Sequence, residues 1–382
     1  MSSVTDTEAW LLLLRTPGLG PARLNLMLSE IDCPQEAFER RHYPDHWRLP
    51  TAAVSALRVP DKTRIKHDLE WLKKPNNHLI TRNDPLYPPL LLEIPQPPPA
   101  LFVHGRADVL VQPQIAIIGS RNATPGALRN TRDFAARLAE GGLTITSGMA
   151  LGVDGASHEA ALVAGGLTIA VTGTGLDVVY PAAHRQLAHR IAENGALVSE
   201  FPLGTNAAAS HFPRRNRIIA GLSLGTLVCE AGLKSGSLIT ARLTMETNRP
   251  VMAIPGSIHN PLARGCHQLI KQGARLVESA EEILEELLPM GQRLAVDLKE
   301  RLEPTSPPRK STTTLDSDHR VTYSVASDKK QRVLAAIGHD PTPVDEIISR
   351  SGLTANKVSS ILLLLELEGM VQSLPGAHYS RL

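Results

Sequence analysis

Two short apolar runs within residues 114–154 constrain the fold of this chain more than any other feature. Residues 115–118 form the continuous run IAII, and a second β-type run, LTIT, occupies residues 143–146. Each run ends in a glycine-containing loop and is followed by a segment compatible with a helix. This arrangement predicts a βαβα unit whose first strand is buried on both faces of a sheet.

The loop after the first run, Gly119-Ser120-Arg121, is predicted to hold an anion. A loop that leads into a helix directs backbone N–H groups and the positive end of the helix dipole at a bound group, and arginine adds a permanent charge. The sequence has neither G-x-G-x-x-G nor G-x-x-x-x-G-K-[ST], so neither a dinucleotide site nor an ATP site is indicated in its usual form. We therefore expect no cofactor.

Further β-type runs recur between helical patterns, at residues 168–171, 196–199, 226–229 and 250–254. Such alternation predicts an α/β domain, a Rossmann-like, doubly wound and mostly parallel sheet with helices on both faces. The loops that follow parallel strands open on one edge of the sheet, where ligands bind. Four loops rich in small residues fall there, at residues 119–121, 147–150, 173–175 and 230–237, and together they predict a groove lined by backbone.

Two segments give this groove its chemical character. The sequence FPRRNR at residues 212–217 places three arginines beside Phe212, just before the apolar helical run at residues 218–222. Arginine can pair with phosphates and an aromatic ring can stack on a base, but a solvated basic turn with Phe212 in the core fits equally well. In KSGS, residues 234–237, Ser237 is expected to cap a helix that starts at Leu238. This cap either leaves N–H groups free to bind a phosphate or only stabilises the helix.

Catalysis is the alternative use of these residues. Asp154 and His158 are four residues apart and could join a serine in a hydrolase site, but there is no G-x-S-x-G motif, so a helix-start carboxylate and a packing histidine are expected. Glu200 and Glu230 each end an apolar strand and could act as a carboxylate pair on a nucleotide sugar, or could serve as counter-charges for the arginines. We expect no catalytic residue.

Composition limits the remaining classes. The net charge of the 382-residue chain is only +2, so nucleic-acid binding requires a local basic patch. The three cysteines, at positions 33, 229 and 266, have neither disulfide nor metal-ligand spacing, so no metal site is expected and a reducing, cytoplasmic location is favoured. No apolar run approaches the ~20 residues that span a bilayer, so no membrane contact is expected.

The flanking segments predict additional domains. Residues 1–75 contain helical patterns joined by PGLGP and predict a small helical domain of the helix-hairpin-helix or SAM-like type, with the hairpin structural. Residues 76–110 are rich in proline and predict a connector with a few extended pieces, ahead of the Rossmann-like domain at residues 111–288. Residues 289–327 predict a flexible linker. Residues 328–382 show three helical patterns and a hairpin-like tail.

Several motifs, in one order along the chain, resemble the DNA-processing protein A (DprA/Smf) family over about residues 80–285. They are IAIIGSRNAT, SGMALGVDGASHEAAL, GTGLDVVYP, SEFPLGT, FPRRNRIIAGLS, EAGLKSGSLITA, and IPGSI followed by RGCHQLIKQGA. Residues 328–382 resemble the winged-helix domain that many members carry, although the third helical pattern offers only Lys357 as a cation beside Thr354, Asn356, Ser359 and Ser360.

The resemblance implies a function and a site. It implies sequence-independent binding and protection of single-stranded DNA, loading of RecA during natural transformation and recombination, and a homodimer formed by the Rossmann-like domain. Single-strand-binding protein is a further candidate partner. The family's phosphate-pocket positions correspond here to Gly119, Ser120, Arg121, Ser147, Gly148, Phe212, Arg214, Arg215, Asn216, Arg217, Lys234, Ser235, Gly236 and Thr240.

One alternative function stays open on the sequence alone. A Rossmann-type nucleotide phosphoribohydrolase also uses glycine-rich loops near a glutamate at the end of a strand. Such an enzyme needs a closed pocket and a proton-transfer group. The several phosphate loops and the FPRRNR segment at residues 212–217 favour a non-catalytic DNA-binding protein.

Overall fold

The structure, a computed structural model, describes residues 4–302 and, nearer the C-terminus, residues 332–337, 342–353, 371–374 and 378–381 together with positions 358, 361, 362 and 365. The chain forms two compact units, Met1–Thr305 and Ser306–Leu382, and each is described by itself. None of the helices in these described ranges has both the length and the hydropathy needed to cross a bilayer.

A nine-stranded sheet forms the centre of the first unit. Its spatial order is β1-β2-β6-β5-β4-β3-β7-β8-β9, and every neighbouring pair is parallel except β1 with β2 and β2 with β6. This confirms the predicted mostly parallel sheet. The strands are β1 (Asn77–Thr81), β2 (Ala100–Gly105), β3 (Gln114–Ile118), β4 (Thr144–Ser147), β5 (Thr168–Val171), β6 (Ala196–Ser199), β7 (Gly225–Val228), β8 (Val251–Ala253) and β9 (Arg275–Leu276).

Helices cover both faces of this sheet. Alternate residues of β3 point to opposite faces, so Ile115 and Ile117 pack in one apolar cluster and Ala116 and Ile118 in another. The helices of the first unit are α1 (Asp6–Leu14), α2 (Pro21–Leu28), α3 (Glu36–Glu39), α4 (Thr51–Arg58), α5 (Lys66–Leu72), α6 (Pro89–Leu92), α7 (Pro125–Glu140), α8 (Val153–Val163), α9 (Arg185–Asn194), α10 (His211–Leu222), α11 (Ser237–Glu246), α12 (Arg264–Lys271) and α13 (Ala280–Leu302).

The direction of the chain through the sheet reverses at β3. From β3 the chain continues to β4, β5 and β6 on one side, and it then crosses to β7, β8 and β9 on the other. The loops that leave β3 and β7 therefore diverge and open a crevice between them at the carboxyl edge of the sheet. Ligands bind at such a switch point in doubly wound folds.

The extended pieces predicted within residues 76–110 are present, but they are strands of the sheet, so the segment belongs to the sheet domain. These pieces are β1 and β2: β2 pairs antiparallel with β6, and β1 pairs antiparallel with β2 at the edge of the sheet. Prolines crowd the segment between these strands, at residues 85–99, whereas the residues of β2, ALFVHG, are buried apart from the partly buried His104. The proline content is therefore a property of the connection between the two strands and does not exclude strands on either side of it.

Residues 289–302 also differ from the predicted linker. The helix α13 runs through Pro289 to Leu302, and Leu294 packs in the same apolar cluster as Leu287. The buried leucines hold this segment on the sheet domain, which accounts for a helix that continues past an internal proline. The rest of the predicted linker, residues 303–327, lies outside the described residues.

The helical N-terminal region packs directly on the sheet domain. The predicted hairpin is present, with α1 and α2 joined by residues 15–20. Arg15 forms an ion pair with the buried carboxylate of Asp68 and also donates to the carbonyl of Leu203, 2.8 Å away. Because an arginine from the helices contacts the backbone of the sheet domain, the helical region is held against the sheet domain at this interface.

The second unit contains a small antiparallel sheet. Its strands, in spatial order, are β10 (Thr342–Pro343), β12 (His378–Arg381) and β11 (Val371–Leu374), and the helix α14 (Val344–Ser351) follows β10. Val333, Ile347 and Val358 lie in its apolar core. The polar positions predicted on the third helix, Thr354, Asn356, Lys357, Ser359 and Ser360, lie outside the described residues.

A buried histidine joins three elements of the sheet domain. The Oγ1 of Thr168 donates to the carbonyl of Ile145, 2.6 Å away, so it accepts a hydrogen bond from the Nδ1 of His158, also at 2.6 Å. The opposite ring nitrogen, Nε2, has no partner among the described residues. Burial lowers the pKa of His158 to about 3. This confirms the prediction of a packing histidine.

We expect this histidine to make stability depend on pH. Its pKa falls from 6.5 in the unfolded chain to about 3 in the folded protein. The stability from the neutral ring is therefore complete above pH 6.5 and is lost as the pH falls toward 3, by up to about 1.4 kcal/mol per pH unit. Denaturant unfolding between pH 6.5 and 5 measures this slope, and His158→Asn should flatten it. Equal slopes for both proteins would contradict the assignment.

Candidate nucleic-acid interface

A cleft of about 880 Å³ occupies the switch point of the sheet. Its walls are the loop after β3, at residues 118–122, and the loop and helix start after β7, at residues 232–240. The beginning of α10 forms the third wall. The parallel strands deliver all three segments to the same edge, as the sequence predicted. This volume is large enough for several chemical groups of a ligand.

Most of the predicted site residues lie together around this cleft. Gly148 lies in a smaller adjoining pocket of about 90 Å³, which shares Arg121, Phe212 and Arg215 with the cleft. The predicted residues that line the cleft itself are Gly119, Ser120, Arg121, Phe212, Arg215, Asn216, Lys234, Ser235, Gly236 and Thr240.

The FPRRNR segment belongs to a helix and does not precede one. The helix α10 begins at His211, so the arginines lie on its first turns. Five residues of α10 line the cleft: Pro213 lies in the first turn, and the other four, at positions 212, 215, 216 and 219, recur at intervals of three or four. This spacing places them on one side of a helix. The basic segment is therefore divided between two sides of α10, which a basic turn would not produce.

Three predicted residues lie elsewhere. Ser147 is fully buried and its Oγ donates to the carbonyl of Ile117, 2.6 Å away. Arg214 and Arg217 lie on another side of α10, where both pair with the Oε2 of Glu200. Glu200 is thus a counter-charge for arginines, one of the two roles that the sequence left open.

The loop after β3 is fixed by contacts within the protein. The N–H of Ser120 donates to the carbonyl of Glu230, 2.7 Å away. The carboxylate of Glu230 accepts from the N–H of Thr124 at 2.9 Å and from its Oγ1 at 2.8 Å. Thr124 in turn caps α7. The start of α7, expected to attract an external anion, is therefore occupied by a carboxylate of the protein, and the loop presents Arg121 instead.

The start of α11 lines the cleft, and its first turn contains no acidic residue. The helix begins at Ser237, one residue earlier than predicted, and within the described residues no side chain caps it at Gly236. Ser237 is therefore the first residue of the helix and not its cap; its N–H donates to the Oγ of Ser235 at 3.3 Å, and the two hydroxyl groups are 2.6 Å apart. Lys234 is exposed beside this end. The helix dipole and the ammonium group therefore place two positive contributions on one wall.

Aromatic and cationic groups are stacked at the mouth of the cleft. The guanidinium carbon of Arg121 lies 5.5 Å from the centre of the Phe212 ring. The ring centres of Phe212 and Tyr180 are 5.6 Å apart, and the two ring planes are tilted by 38°. Tyr180 is 49% exposed. This arrangement can accept a planar group against a ring while the arginine contacts an anion.

Arg215 has a different role from the exposed cations. Its guanidinium is buried and donates to the carbonyls of Gly148 and Val171, at the ends of β4 and β5. Burial lowers its pKa to about 10, so it remains charged at neutral pH. Burial also raises the pKa of the neighbouring Asp154, an effect that Arg215 opposes. Arg215 therefore fixes the loops that frame the cleft.

Sequence reasoning missed several residues of the cleft region, and Tyr180 and Gly152 are two that shape it. Tyr180 follows the β5 loop and contacts Phe212, and its position after the glycine loop at residues 173–175 was the available signal. Gly152 has a φ of 80° and packs under the β3 loop. A β-carbon at Gly152 would collide with the carbonyl oxygens of Ser120 and Arg121. The positive φ is a property of the backbone that the sequence suggests only weakly.

The side chains considered for catalysis are engaged in structural hydrogen bonds or lie far apart in the sheet. Asp154 accepts a hydrogen bond from the N–H of Ala150 at 3.1 Å, whereas His158 bonds to Thr168. Glu200 and Glu230 follow β6 and β7, which are four strand spacings apart, or roughly 19 Å. Within the described residues, no group of histidine, cysteine and carboxylate side chains could hold a metal ion.

Comparisons with known proteins agree with this architecture. The family model for DNA recombination-mediator protein A matches residues 78–288, more than half of the chain. The chain belongs to this family. A second model, the DprA winged helix domain, matches residues 306–377, so the family resemblance and the predicted winged-helix domain are both confirmed.

Relatives in the family span most of the chain. Protein Smf from Escherichia coli strain K12 is 44% identical over 323 residues, which cover 84% of this chain and 82% of that protein. DNA processing protein DprA from Streptococcus pneumoniae strain R6 is 47% identical over 217 residues, which cover 57% of this chain and 76% of that protein. The similarity to these relatives extends well beyond any single motif of the cleft.

Two solved structures share the fold. The crystal structure of DNA processing protein A from Streptococcus pneumoniae matches with a TM-score of 0.65 and 37% identity, covering 74% of this chain and 98% of that one. DNA processing protein A from Helicobacter pylori, solved in a study of its single-stranded DNA binding mode, matches with a TM-score of 0.51 and 31% identity over 56% of this chain and 97% of that one. These matches confirm the predicted fold class.

Proposed function

We propose that this protein binds single-stranded DNA in the cleft, with little dependence on base sequence, and acts without catalysis. The observation that carries the proposal is the lining of the cleft. Backbone loops, Arg121, Lys234 and the positive end of the α11 dipole suit phosphates, and Phe212 and Tyr180 offer ring faces. Such groups recognise a backbone and a stacked base, which every sequence provides. The relative from Helicobacter pylori, whose single-stranded DNA binding has been studied, supports the same proposal.

A salt titration tests this proposal. The protein should bind a single strand more tightly than a duplex of equal length, and strands of different base composition with similar affinity. The logarithm of affinity should fall with the logarithm of salt concentration, with a slope of about 0.7 for each phosphate neutralised. Equal affinity for single strand and duplex, or affinity unaffected by salt, would count against the proposal.

A dimer would strengthen this binding. One cleft contacts only a few phosphates, but two clefts on one strand make the second contact intramolecular and raise the affinity by orders of magnitude. The family resemblance supports a homodimer through the Rossmann-like domain. Light scattering on the full chain should give twice the monomer mass of 41.2 kDa. If the protein is a monomer and still binds single-stranded DNA tightly, the affinity of the cleft does not depend on a dimer.

The cellular role that we propose is the loading of RecA onto DNA in natural transformation and recombination, in the cytoplasm. Support for this role is the family membership of residues 78–288. In a reconstituted reaction, the protein should accelerate RecA assembly on strands coated with single-strand-binding protein. Assembly at the same rate with and without the protein would contradict it.

We expect the purified protein to leave nucleotides, oligonucleotides and ATP unchanged. Glu230 is held by Thr124 and Asn260, and Glu200 is held by arginines, so neither carboxylate is placed as a proton-transfer group. Chromatography after prolonged incubation tests this expectation. Release of free base from a nucleoside monophosphate, abolished by Glu230→Gln, would instead support the phosphoribohydrolase alternative.

A further inference from the structure

A second groove lies between the N-terminal hairpin and the sheet domain. It has a volume of about 460 Å³, and we call it the hairpin groove. One wall is the turn between α1 and α2, with Gly18, Gly20 and Arg23. The opposite wall carries Pro202 and Arg214. Two parts of the chain that are distant in sequence therefore each contribute an arginine to one groove.

Arg214 is held in place and is still accessible. Its Nη2 donates to the Oε2 of Glu200 at 3.0 Å, and its guanidinium carbon lies 5.0 Å from the centre of the Phe201 ring. The side chain nevertheless keeps 43% of its surface exposed. Glu200 also pairs with Arg217, so one carboxylate serves two guanidinium groups. The cluster retains a net positive charge, and the exposed part of that charge is Arg214.

The hairpin places a second positive region across the groove. The helix α2 begins after Gly20, where no side chain among the described residues caps it, and its first turn, PARL, lacks an acidic residue. The exposed Arg23 lies on this turn and donates to the carbonyl of Gly18 at 3.0 Å. An arginine at the positive end of a helix dipole is unfavourable by itself. An anion bound between Arg23 and Arg214 would offset the repulsion on both walls.

The hairpin groove and the cleft meet on the helix α10. Pro213 lines the cleft, and the next residue, Arg214, lines the hairpin groove. A chain that leaves the cleft across the exposed Pro213 therefore reaches Arg214 within the first turn of α10. The distance across a helix with its side chains is about 10 Å, so a flexible phosphodiester chain can lie in both grooves at once.

We propose that the hairpin groove is a second phosphate-binding site for the same DNA strand, beyond the cleft. The proposal rests on single-stranded DNA binding as the function of the cleft. The ligand class is a phosphodiester backbone, because each wall presents an exposed arginine and much of the remaining lining consists of glycine, proline and leucine residues with little to distinguish bases. The carboxylate of Glu200 also lines the groove, but it is buried and paired with two arginines. Arg214 thus contacts DNA in this groove and not in the cleft.

An oligonucleotide length series on the full chain tests this proposal. The affinity of the wild-type protein should rise in two steps, first as the cleft fills and again when the strand reaches the hairpin groove. Arg23→Glu should keep the first step and lose the second, with roughly tenfold weaker binding of long strands. The salt slope for long strands should fall by about 0.7 for each phosphate that is no longer neutralised. Arg214→Gln, which keeps a donor toward Glu200, should give the same pattern.

Lys73→Glu is the matched control. Lys73 follows α5, is 70% exposed, and pairs with Glu70, so the substitution makes the same charge change away from both grooves. It should leave both steps unchanged. Three outcomes would contradict a phosphate site in the hairpin groove without affecting the assignment of the cleft. Lys73→Glu could weaken long strands as much as Arg23→Glu does. Arg23→Glu could weaken short and long strands equally, or could have no effect at any length. Failure of the wild type to bind any strand would overturn both.

Discussion

Arg121→Ala is expected to weaken binding of single-stranded DNA by roughly 10- to 100-fold at every base sequence. A charge-assisted hydrogen bond contributes about 1.5–3 kcal/mol, and about 1.4 kcal/mol corresponds to a factor of ten. Arg121 is exposed at the mouth of the cleft and lies over Phe212, so its removal takes away a cation and leaves the core unchanged. Fluorescence anisotropy with strands of different composition measures the loss.

Two variants control this experiment. Arg121→Lys should recover only part of the affinity, because an ammonium group lacks the planar donors of guanidinium. Arg132→Ala removes the same charge from the exposed side of α7, away from the cleft, and should bind as the wild type does. If Arg121→Ala and Arg132→Ala bind DNA equally well, Arg121 is not part of the interface.

The parallel strands were predictable because their burial leaves a simple pattern. The runs at residues 168–171 and 196–199 coincide with β5 and β6, the run for β3 differs from the strand by one residue at one end, and the runs for β7 and β8 differ by one residue at each end. Strands buried on both faces are continuously apolar, so they stand out between helical patterns. Because parallel strands end at the same edge of a sheet, the loops that follow them lie together. The location of the cleft could therefore be predicted without knowledge of any tertiary contact.

The edge of the sheet was harder to predict. The strand β1, NHLIT, is only partly buried, and its partner β2 follows a proline-rich connection. Pairing of β2 with β6 joins residues almost a hundred positions apart. Local patterns report local burial, and a pairing over that distance is decided by the packing of the whole sheet.

The direction of the arginines could not be read from composition. FPRRNR indicated a basic surface, but the side that each arginine faces depends on whether the segment is helix or turn. Once α10 begins at His211, helical spacing places Arg215 toward the cleft and sends Arg214 and Arg217 to Glu200. The burial of Arg215 could not be predicted from the local sequence either, because it depends on the carbonyl groups of Gly148 and Val171, at the ends of β4 and β5, which are remote in sequence.

Arg215→Met is expected to lower the free energy of unfolding of the first unit by roughly 3 kcal/mol. The substitution keeps an apolar chain of similar reach but leaves two buried carbonyls, of Gly148 and Val171, without their donor and removes the cation beside Asp154. DNA binding should weaken too, since the loops that carry Gly148 and the adjoining pocket lose their anchor. Denaturant unfolding at neutral pH gives the stability, and anisotropy gives the affinity.

The pH dependence of this loss identifies its cause. Burial already raises the pKa of Asp154, and loss of Arg215 should raise it further. A carboxyl whose folded pKa is raised costs stability as the pH rises through that value, so the deficit of Arg215→Met should be largest at neutral pH and should shrink toward pH 4. Adding Asp154→Asn should recover part of the deficit at neutral pH, because the charge that lacks a partner is gone. A deficit that is the same at every pH, and unchanged by Asp154→Asn, would show that Arg215 acts only through the carbonyls of Gly148 and Val171.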